Sequence, residues 1–396
     1  MMSLAHFSSG SCISPEEMPC CNGPGVGNSR LAIGGNLNLR MTTWQGRRVL
    51  LTGHTGFKGS WLALWLSRLG AKVRGFALDP CTAPNMFTVA SVGSVVEDVR
   101  GDIRDYGKLA DSMRDFAPEV VFHLAAQPIV RRSYADPVGT YTTNVLGTVH
   151  VLEAVRSTPS VRAVVCITTD KVYQNQEWAW PYREIDPLGG YDPYASSKAC
   201  TEIVSAAYRS SFFSPERLHE HNVALATARA GNVIGGGDWS EDRLIPDLVR
   251  GFCSQKPVLI RRPNAVRPWQ HVLEPLRGYL MLAERLLAQD PRFASAFNFG
   301  PGQEDTWPVE QIANKLVQMW GDGASWMRDS DTAAHEAHYL RLDASKARLE
   351  LGWEPKLKIE TALERTMAWY RAWSQSENMA NFTAKQIEDY ANLWAY

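Results

Sequence analysis

The sequence predicts an α/β fold built on a doubly wound parallel sheet, and three observations carry that expectation. Short apolar strands alternate with helical segments from Arg47 to about residue 230, the spacing of strand–helix–strand units with right-handed crossovers. The first strand, RRVLLTG, runs straight into a glycine-rich turn, Gly53-x-x-Gly56-x-x-Gly59, and that turn opens a helix. A carboxylate, Asp79, closes the next strand, where a bound dinucleotide would place its adenosine ribose. Together these make the expected sheet Rossmann-type.

Taken in order, residues 1–43 are rich in Ser, Gly, Asn and Pro and show no sustained period, so a disordered extension is expected there. The segment has neither the apolar centre of a signal peptide nor the Arg-rich face of a transit peptide, and Met41 is an alternative start. After the RRVLLTG strand, SWLALWLSRLG reads as a helix stopped by Gly70, and KVRGFALD as the second strand. Further strands are expected at 95–99, 119–125 and 161–168. Beyond 230 the pattern loosens: GNVIGGGDW, RRPNAVRPW and GPGQEDTWP read as loops between helices near 242–253, 273–288 and 308–320. The helical segment from Ile359 places Ile359, Leu363, Met367 and Tyr370 on one stripe, a core or partner face. The expected organisation is therefore an extension over 1–43, a dinucleotide-binding domain with the reacting groups over 44–230, and a smaller, mixed substrate-binding part over 231–396 that returns some segments to the sheet.

Composition narrows the class. The 396 residues are 45% hydrophobic and 21% charged, with a formal charge of -1, ordinary for a globular chain of one large or two joined domains. That balance argues against nucleic-acid and membrane-surface partners, and no apolar run approaches the roughly 20 residues that span a bilayer. Seven cysteines lie at 12, 20, 21, 81, 166, 200 and 253 without paired ligand spacing. They read as reduced thiols of a cytoplasmic protein, with no disulfide framework and no metal site.

Two stretches carry chemistry. Small residues at Gly53, Gly56 and Gly59 let a pyrophosphate approach the backbone and sit on a helix N-terminus, where unpaired N–H groups favour anions. Asp79 would accept from the ribose hydroxyls and repel a 2′-phosphate, which favours NAD over NADP. The second stretch runs from Thr168 to Lys198: an apolar strand ends in Thr168-Thr169-Asp170-Lys171, and a polar loop leads to Tyr194-Ala195-Ser196-Ser197-Lys198. Tyr and Lys four apart on a helix share one face, so both reach one pocket.

These features, with Gly101-Asp102-Ile103-Arg104-Asp105, His123-Leu124-Ala125-Ala126-Gln127, Asn144, and Leu342-Asp343-Ala344-Ser345-Lys346 followed by Leu351-Gly352-Trp353, resemble the extended short-chain dehydrogenase/reductase family from Arg47 onward. The resemblance implies bound NAD, held by Gly53, Gly56, Phe57, Gly59, Asp79, Asp102, Ile103, Leu124, Ala125, Ala126 and Asn144, and a triad of Thr169, Tyr194 and Lys198 that moves a hydride. The 4,6-dehydratases of that family carry a carboxylate and a second acid/base group directly after the strand-end hydroxyl. By that likeness Asp170 is the acid and Lys171 the base at sugar C5. The segments TTDKVYQNQEW, YREIDPLGGYDPYASSKACTEIV, ARAGNVIGGGDWSEDRLIPDLVR and RRPNAVRPWQHVLEPLRGYL look like the branch acting on a cytidine-linked glucose. For the nucleotide-diphosphate sugar the candidates are Gln127, Arg132, Asn232, Arg243, Arg261, Arg262 and Arg267, arginine being suited to a two-donor grip on phosphate. Relatives of this fold commonly dimerise, so a homodimer or higher oligomer is expected. The residues alone leave open another nucleotide sugar, a sugar-nucleotide epimerase, and a non-catalytic protein that binds NAD or a nucleotide sugar.

Overall fold

The computed structural model describes residues 43–321, 323–329 and 339–394. The extension expected over residues 1–43, Met41 included, lies outside them up to residue 42. The first six strands are β1 (Arg48–Thr52), β2 (Lys72–Ala77), β3 (Glu97–Arg100), β4 (Val120–His123), β5 (Ala163–Ile167) and β6 (Ala224–Ala230). The later ones are β7 (Asn232–Ile234), β8 (Val258–Ile260), β9 (Val266–His271), β10 (Ala296–Phe299), β11 (Thr306–Pro308) and β12 (Trp326–Arg328). Seven of them form one sheet in the order β10-β6-β5-β4-β1-β2-β3, and every pairing in it is parallel. The order reverses between β1 and β4, the crevice where doubly wound sheets bind ligands.

Strand composition explains the burial on both faces. Val49, Leu51, Val120, Phe122, Val165 and Ile167 enter one apolar cluster, and the alternating Leu50, Val121, Val164 and Cys166 enter the other. That is the period-2 alternation of a strand covered on both sides, which reads in sequence as an unbroken apolar run. Helix α1 (Phe57–Arg68) follows the glycine turn and buries Trp61, Leu62, Leu64, Trp65 and Leu66. It is apolar on nearly all sides because the C-terminal helices cover its outer face: Trp65 meets Tyr390 edge-on at 5.8 Å.

Helix α2 (Tyr106–Phe116) leads to β4. Then α3 (Val130–Ala135), α4 (Pro137–Tyr141), a π-helical turn over Thr142–Leu146, and α5 (Gly147–Arg156) precede β5. Helix α6 (Pro193–Ser211) starts where the sequence allows: Asp192 accepts a hydrogen bond from Ala195 N at 2.8 Å, and Pro193 takes a position where its missing N–H costs nothing. The remaining long helices are α7 (Leu244–Cys253), α8 (Leu273–Leu287), α9 (Val309–Trp320), α10 (Ile359–Ser374) and α11 (Met379–Asn392). The stripe Ile359, Leu363, Met367 and Tyr370 of α10 is buried in the core.

The strands differ from the sequence expectation in two respects. The segments read as loops contain β7, β9 and β11, which form a second sheet in the order β11-β9-β7. Strands of three residues beside Gly and Pro have no period to detect, and Pro268 within β9 reads as a breaker. β6 escaped notice because its sequence, ALATARA, is alanine-rich and lacks the β-branched signal, although all seven residues are buried.

Candidate active site

The turns after β1 and β4 lie against each other at the crevice. Gly53 has φ +79°, and a Cβ there would fall 2.7 Å from Ala125 N. A Cβ on Gly59 would fall 2.1 Å from Gly53 O, so the third glycine lets the helix press onto the turn. Helix α1 has no side-chain cap and no acidic residue in its first turn, leaving its N–H groups for an anion. Gly56 is exposed and Phe57 partly buried at that helix start. This cradle, closed to any larger side chain, fits the pyrophosphate of a dinucleotide.

The other expected cofactor residues border it. His123 Nδ1 is 2.8 Å from Thr52 Oγ1 and its Nε2 3.1 Å from Thr148 Oγ1. Burial lowers its pKa to about 3, so the ring is neutral and serves to brace the turn containing Leu124, Ala125 and Ala126. Asp79 lies two residues beyond β2, exposed, with Arg100 at 3.3 Å. Asp102 accepts from Arg104 N at 2.8 Å and Arg104 Nη2 at 2.6 Å, and the guanidinium hydrogen bonds hold its carboxyl below the usual range. Ile103 is buried against Gly147. Asn144, in the π-helical turn, has its amide engaged within the chain: Oδ1 accepts from Gln127 N at 2.8 Å, and Nδ2 donates to Gln127 O and Ser197 Oγ at 3.1 and 2.8 Å. It ties the turn after β4 to α6.

The groups expected from sequence to react lie about the end of β5 and the start of α6. Thr169 caps a short turn over Asp170–Val172, donating to Asp170 Oδ1 at 3.0 Å and accepting from Lys171 N at 3.4 Å. Its hydroxyl also acts on the phenol of Tyr194, lowering its proton affinity; Tyr194 lies one helical turn before Lys198 on α6. Lys198 Nζ donates to Ile167 O at 2.8 Å, and burial lowers its pKa to about 8. Burial raises the Tyr194 phenol; the strongest opposing charge is Arg243, followed by the Thr169 hydrogen bond. Asp170 is 2% exposed. Burial pushes its pKa up against the pull of Lys171, Thr169, Arg267 and Lys58. Its Oδ2 is buried without a partner, and a Cβ on Gly231 would fall 3.0 Å from that oxygen. Gly231 thus keeps one face of the carboxyl open.

Several features were not assigned from sequence. Lys58, inside the glycine turn, is lowered to about 8 by burial and then by Arg243, with Asp170 opposing, so a third amine joins the site. A lysine in a turn where phosphate is expected was the available signal. Asp238 is buried and lies 3.9 Å from Arg243.

The substrate candidates separate. Arg267 is buried, donates to Val266 O at 3.0 Å and acts on Asp170. Asn232 follows Gly231 at the start of β7, partly exposed. Arg243 caps α7 beside Asp238. Arg261 lies 3.4 Å from Asp242, which also receives Arg131 at 3.2 Å; Arg262 is partly exposed beside it. Arg132 is exposed on α3. The Gln127 amide is engaged with Ile129 N, Ile129 O and Thr140 Oγ1 at 2.7 to 3.1 Å, so it shapes the turn. A separate cleft of about 570 Å³, lined among others by Glu304, Asp305, Arg348 and Lys358, contains none of these groups.

Comparison with known proteins identifies the family. Residues 50–366 match the family model described as GDP-mannose 4,6 dehydratase. The chain is 53% identical over 347 residues to the CDP-glucose 4,6-dehydratase of Salmonella typhimurium, covering 88% of this chain and 97% of that protein. It is 31% identical to the dTDP-glucose 4,6-dehydratase of Streptomyces antibioticus, over 82% of this chain and 93% of the other. Among solved structures, the dTDP-glucose 4,6-dehydratase DesIV of Streptomyces venezuelae, crystallised with NAD bound, superposes with a TM-score of 0.69 at 27% identity, covering 84% of this chain and 99% of that one. The chain belongs to the nucleotide-sugar 4,6-dehydratase family that the GDP-mannose 4,6 dehydratase model describes.

Proposed function

We propose that the protein is an NAD-dependent dehydratase converting CDP-D-glucose to CDP-4-dehydro-6-deoxy-D-glucose and water. The observation that carries the reaction type is the Asp170-Lys171 pair on the strand end that also presents Thr169 to Tyr194. The 53% identity to a CDP-glucose 4,6-dehydratase supports the nucleotide. NAD, when bound, supplies a hydride acceptor for sugar C4 and, once reduced, a hydride donor for C6. Tyr194 takes the C4 hydroxyl proton, with Thr169 hydrogen-bonding the same oxygen. Its phenol is raised by burial, so it needs nearby positive charge to give up its own proton; Arg243 is the cation that acts on it, and we assign Lys198, one helical turn along α6, to the same task. Once C4 is a ketone the C5 hydrogen is acidic, and Lys171 removes it. Asp170, whose pKa is raised by burial, gives a proton to the departing C6 hydroxyl, and the unpartnered Oδ2 is the oxygen free to deliver it. Lys171 then returns the proton to C5, and the proton that Tyr194 took from the C4 hydroxyl passes to the Asp170 carboxylate, so the cofactor and all three side chains are restored.

We assign Arg267 and Arg243 to the diphosphate side of the site, and residues 44–230 to holding the cofactor and the reacting groups. Val138, Tyr141, Leu146 and Ile203 are large apolar side chains exposed on α4, its π-helical continuation and α6, a face suited to a second copy of the chain. Among the described residues no helix is long and apolar enough to cross a membrane, and Cys81, Cys166, Cys200 and Cys253 are free thiols. A reducing cytoplasm suits such a chain.

Incubated with CDP-glucose and NAD, the protein is expected to give a product lighter by one water with no net NADH, and Tyr194→Phe to lower turnover by at least ~100-fold. Mass spectrometry showing a sugar of unchanged mass would refute the dehydratase reading. In Lys171→Ala, exchange of C5 hydrogen with deuterated water should stop while oxidation at C4 persists; unchanged exchange would move the base elsewhere. Lys198→Met should abolish turnover yet raise stability. The folded pKa of about 8 lies below the ordinary 10.5, so between those pH values the unfolded chain binds more protons and wild-type stability climbs with pH. At pH 7 the variant should be more stable in urea by about 1–2 kcal/mol, with the gap narrowing above pH 8. Sedimentation at micromolar concentration should show a dimer or larger species, reduced to single chains by Val138→Asp with Ile203→Asp.

A further inference from the structure

Four residues beyond Lys198, on the same face of α6, Glu202 is 4% exposed and both its carboxylate oxygens are filled. Oε1 accepts from Thr168 Oγ1 at 2.5 Å and Arg229 Nε at 2.9 Å. Oε2 accepts from Thr227 Oγ1 at 2.6 Å and Arg229 Nη2 at 3.0 Å. The other arm of Arg229 donates to the Tyr173 hydroxyl at 2.8 Å, and that hydroxyl donates to Asn298 Oδ1 at 2.7 Å. Neither hydride transfer nor elimination uses these groups directly. A buried ion pair is a poor source of stability, because desolvating two charges offsets most of their attraction.

Its placement points to a different role. Thr168 directly precedes Thr169 and Asp170, while Glu202 continues the helical face that carries Tyr194 and Lys198. The Thr168–Glu202 bond therefore joins the strand end bearing two of the reacting groups to the helix bearing the other two. Lys198 Nζ on Ile167 O spans the same gap one turn earlier, so helix and strand end are fixed at two points. Arg229 fills the carboxylate with a two-donor fork, which fixes its plane as well as its position.

We propose that Glu202, held by Arg229, is a positioning residue that sets Tyr194 and Lys198 against Thr169 and Asp170 through Thr168. The inference rests on the reading of those four groups as catalytic. An ionised carboxylate suits the task because it accepts all four hydrogen bonds, whereas an amide would turn two N–H donors toward donors.

Thr227 is a built-in control. It makes a buried bond of nearly the same length to the other oxygen of Glu202, but β6 carries none of the reacting side chains. In the NAD-loaded full chain with CDP-glucose, Thr168→Val should lower kcat by about tenfold or more with KM within about twofold, since misplacement of reacting groups is felt in the chemical step. Thr168→Ser, which keeps the hydroxyl, should restore kcat to within about threefold of the parent. Thr227→Val should keep kcat within about twofold while lowering Tm as much as Thr168→Val does. Equal kcat in the two valine variants, or no rescue by serine, would overturn the proposal. Tyr194→Phe measured alongside separates the two levels. If it is inactive while the valine variants agree, only the positioning role falls; if it turns over normally, the reading of the site falls and the positioning role with it.

Discussion

The carboxylate of Glu202, gripped by Arg229 inside the protein, is the constraint on which the geometry of the site depends. A parallel sheet delivers its strand ends to one edge, but it does not fix how a flanking helix sits against a particular strand end to within a few tenths of an ångström. Here side chains do so. Glu202 and Lys198 bind the strand end of β5 from α6, and Asn144 binds the turn after β4 to Ser197 of the same helix. Three elements that come together only in the folded chain thus share one frame.

Charge is distributed in that frame for an anionic guest. Lys58, Lys171, Lys198, Arg243 and Arg267 surround two carboxylates, Asp170 and Asp238. Burial lowers the proton affinity of the lysines among them, and for Lys58 the neighbouring Arg243 adds to it. Both Lys58 and Lys198 are lowered to about 8. A diphosphate entering such a site supplies the missing negative charge. Burial raises the proton affinity of Asp170 in the same site, outweighing the pull of four neighbours.

Much of this was legible in the sequence for a physical reason: the features that carry it are local. The glycine spacing after β1, the strand-end Thr169-Asp170-Lys171 and the Tyr194/Lys198 pair are each set within a few residues, and periodicity recovers the strands around them. What sequence hid is long-range. Glu202 looks like any helix glutamate until Arg229 and Thr168 close on it from strands 27 and 34 positions away. Gly231 looks like a turn glycine until its neighbour proves to be the open oxygen of Asp170. Asn144 and Gln127, placed by resemblance at the ligands, spend their amides on the chain itself. The strands β7 and β11 are too short to show a period, and β9 is hidden by Pro268 within it.

The return of β10 to pair with β6 has a consequence for how the chain is made. When β6 has left the ribosome, its outer row of N–H and C=O groups has no partner until Ala296–Phe299 follow, some 65 residues later. At about 5–20 residues per second, that leaves an open parallel edge for several seconds, and an open edge is a template for pairing with another chain. β6 meets that interval with alanines and a charged Arg229 where most core strands carry branched apolar residues. The composition that concealed this strand from sequence reading also makes it a poor partner for its neighbours during synthesis.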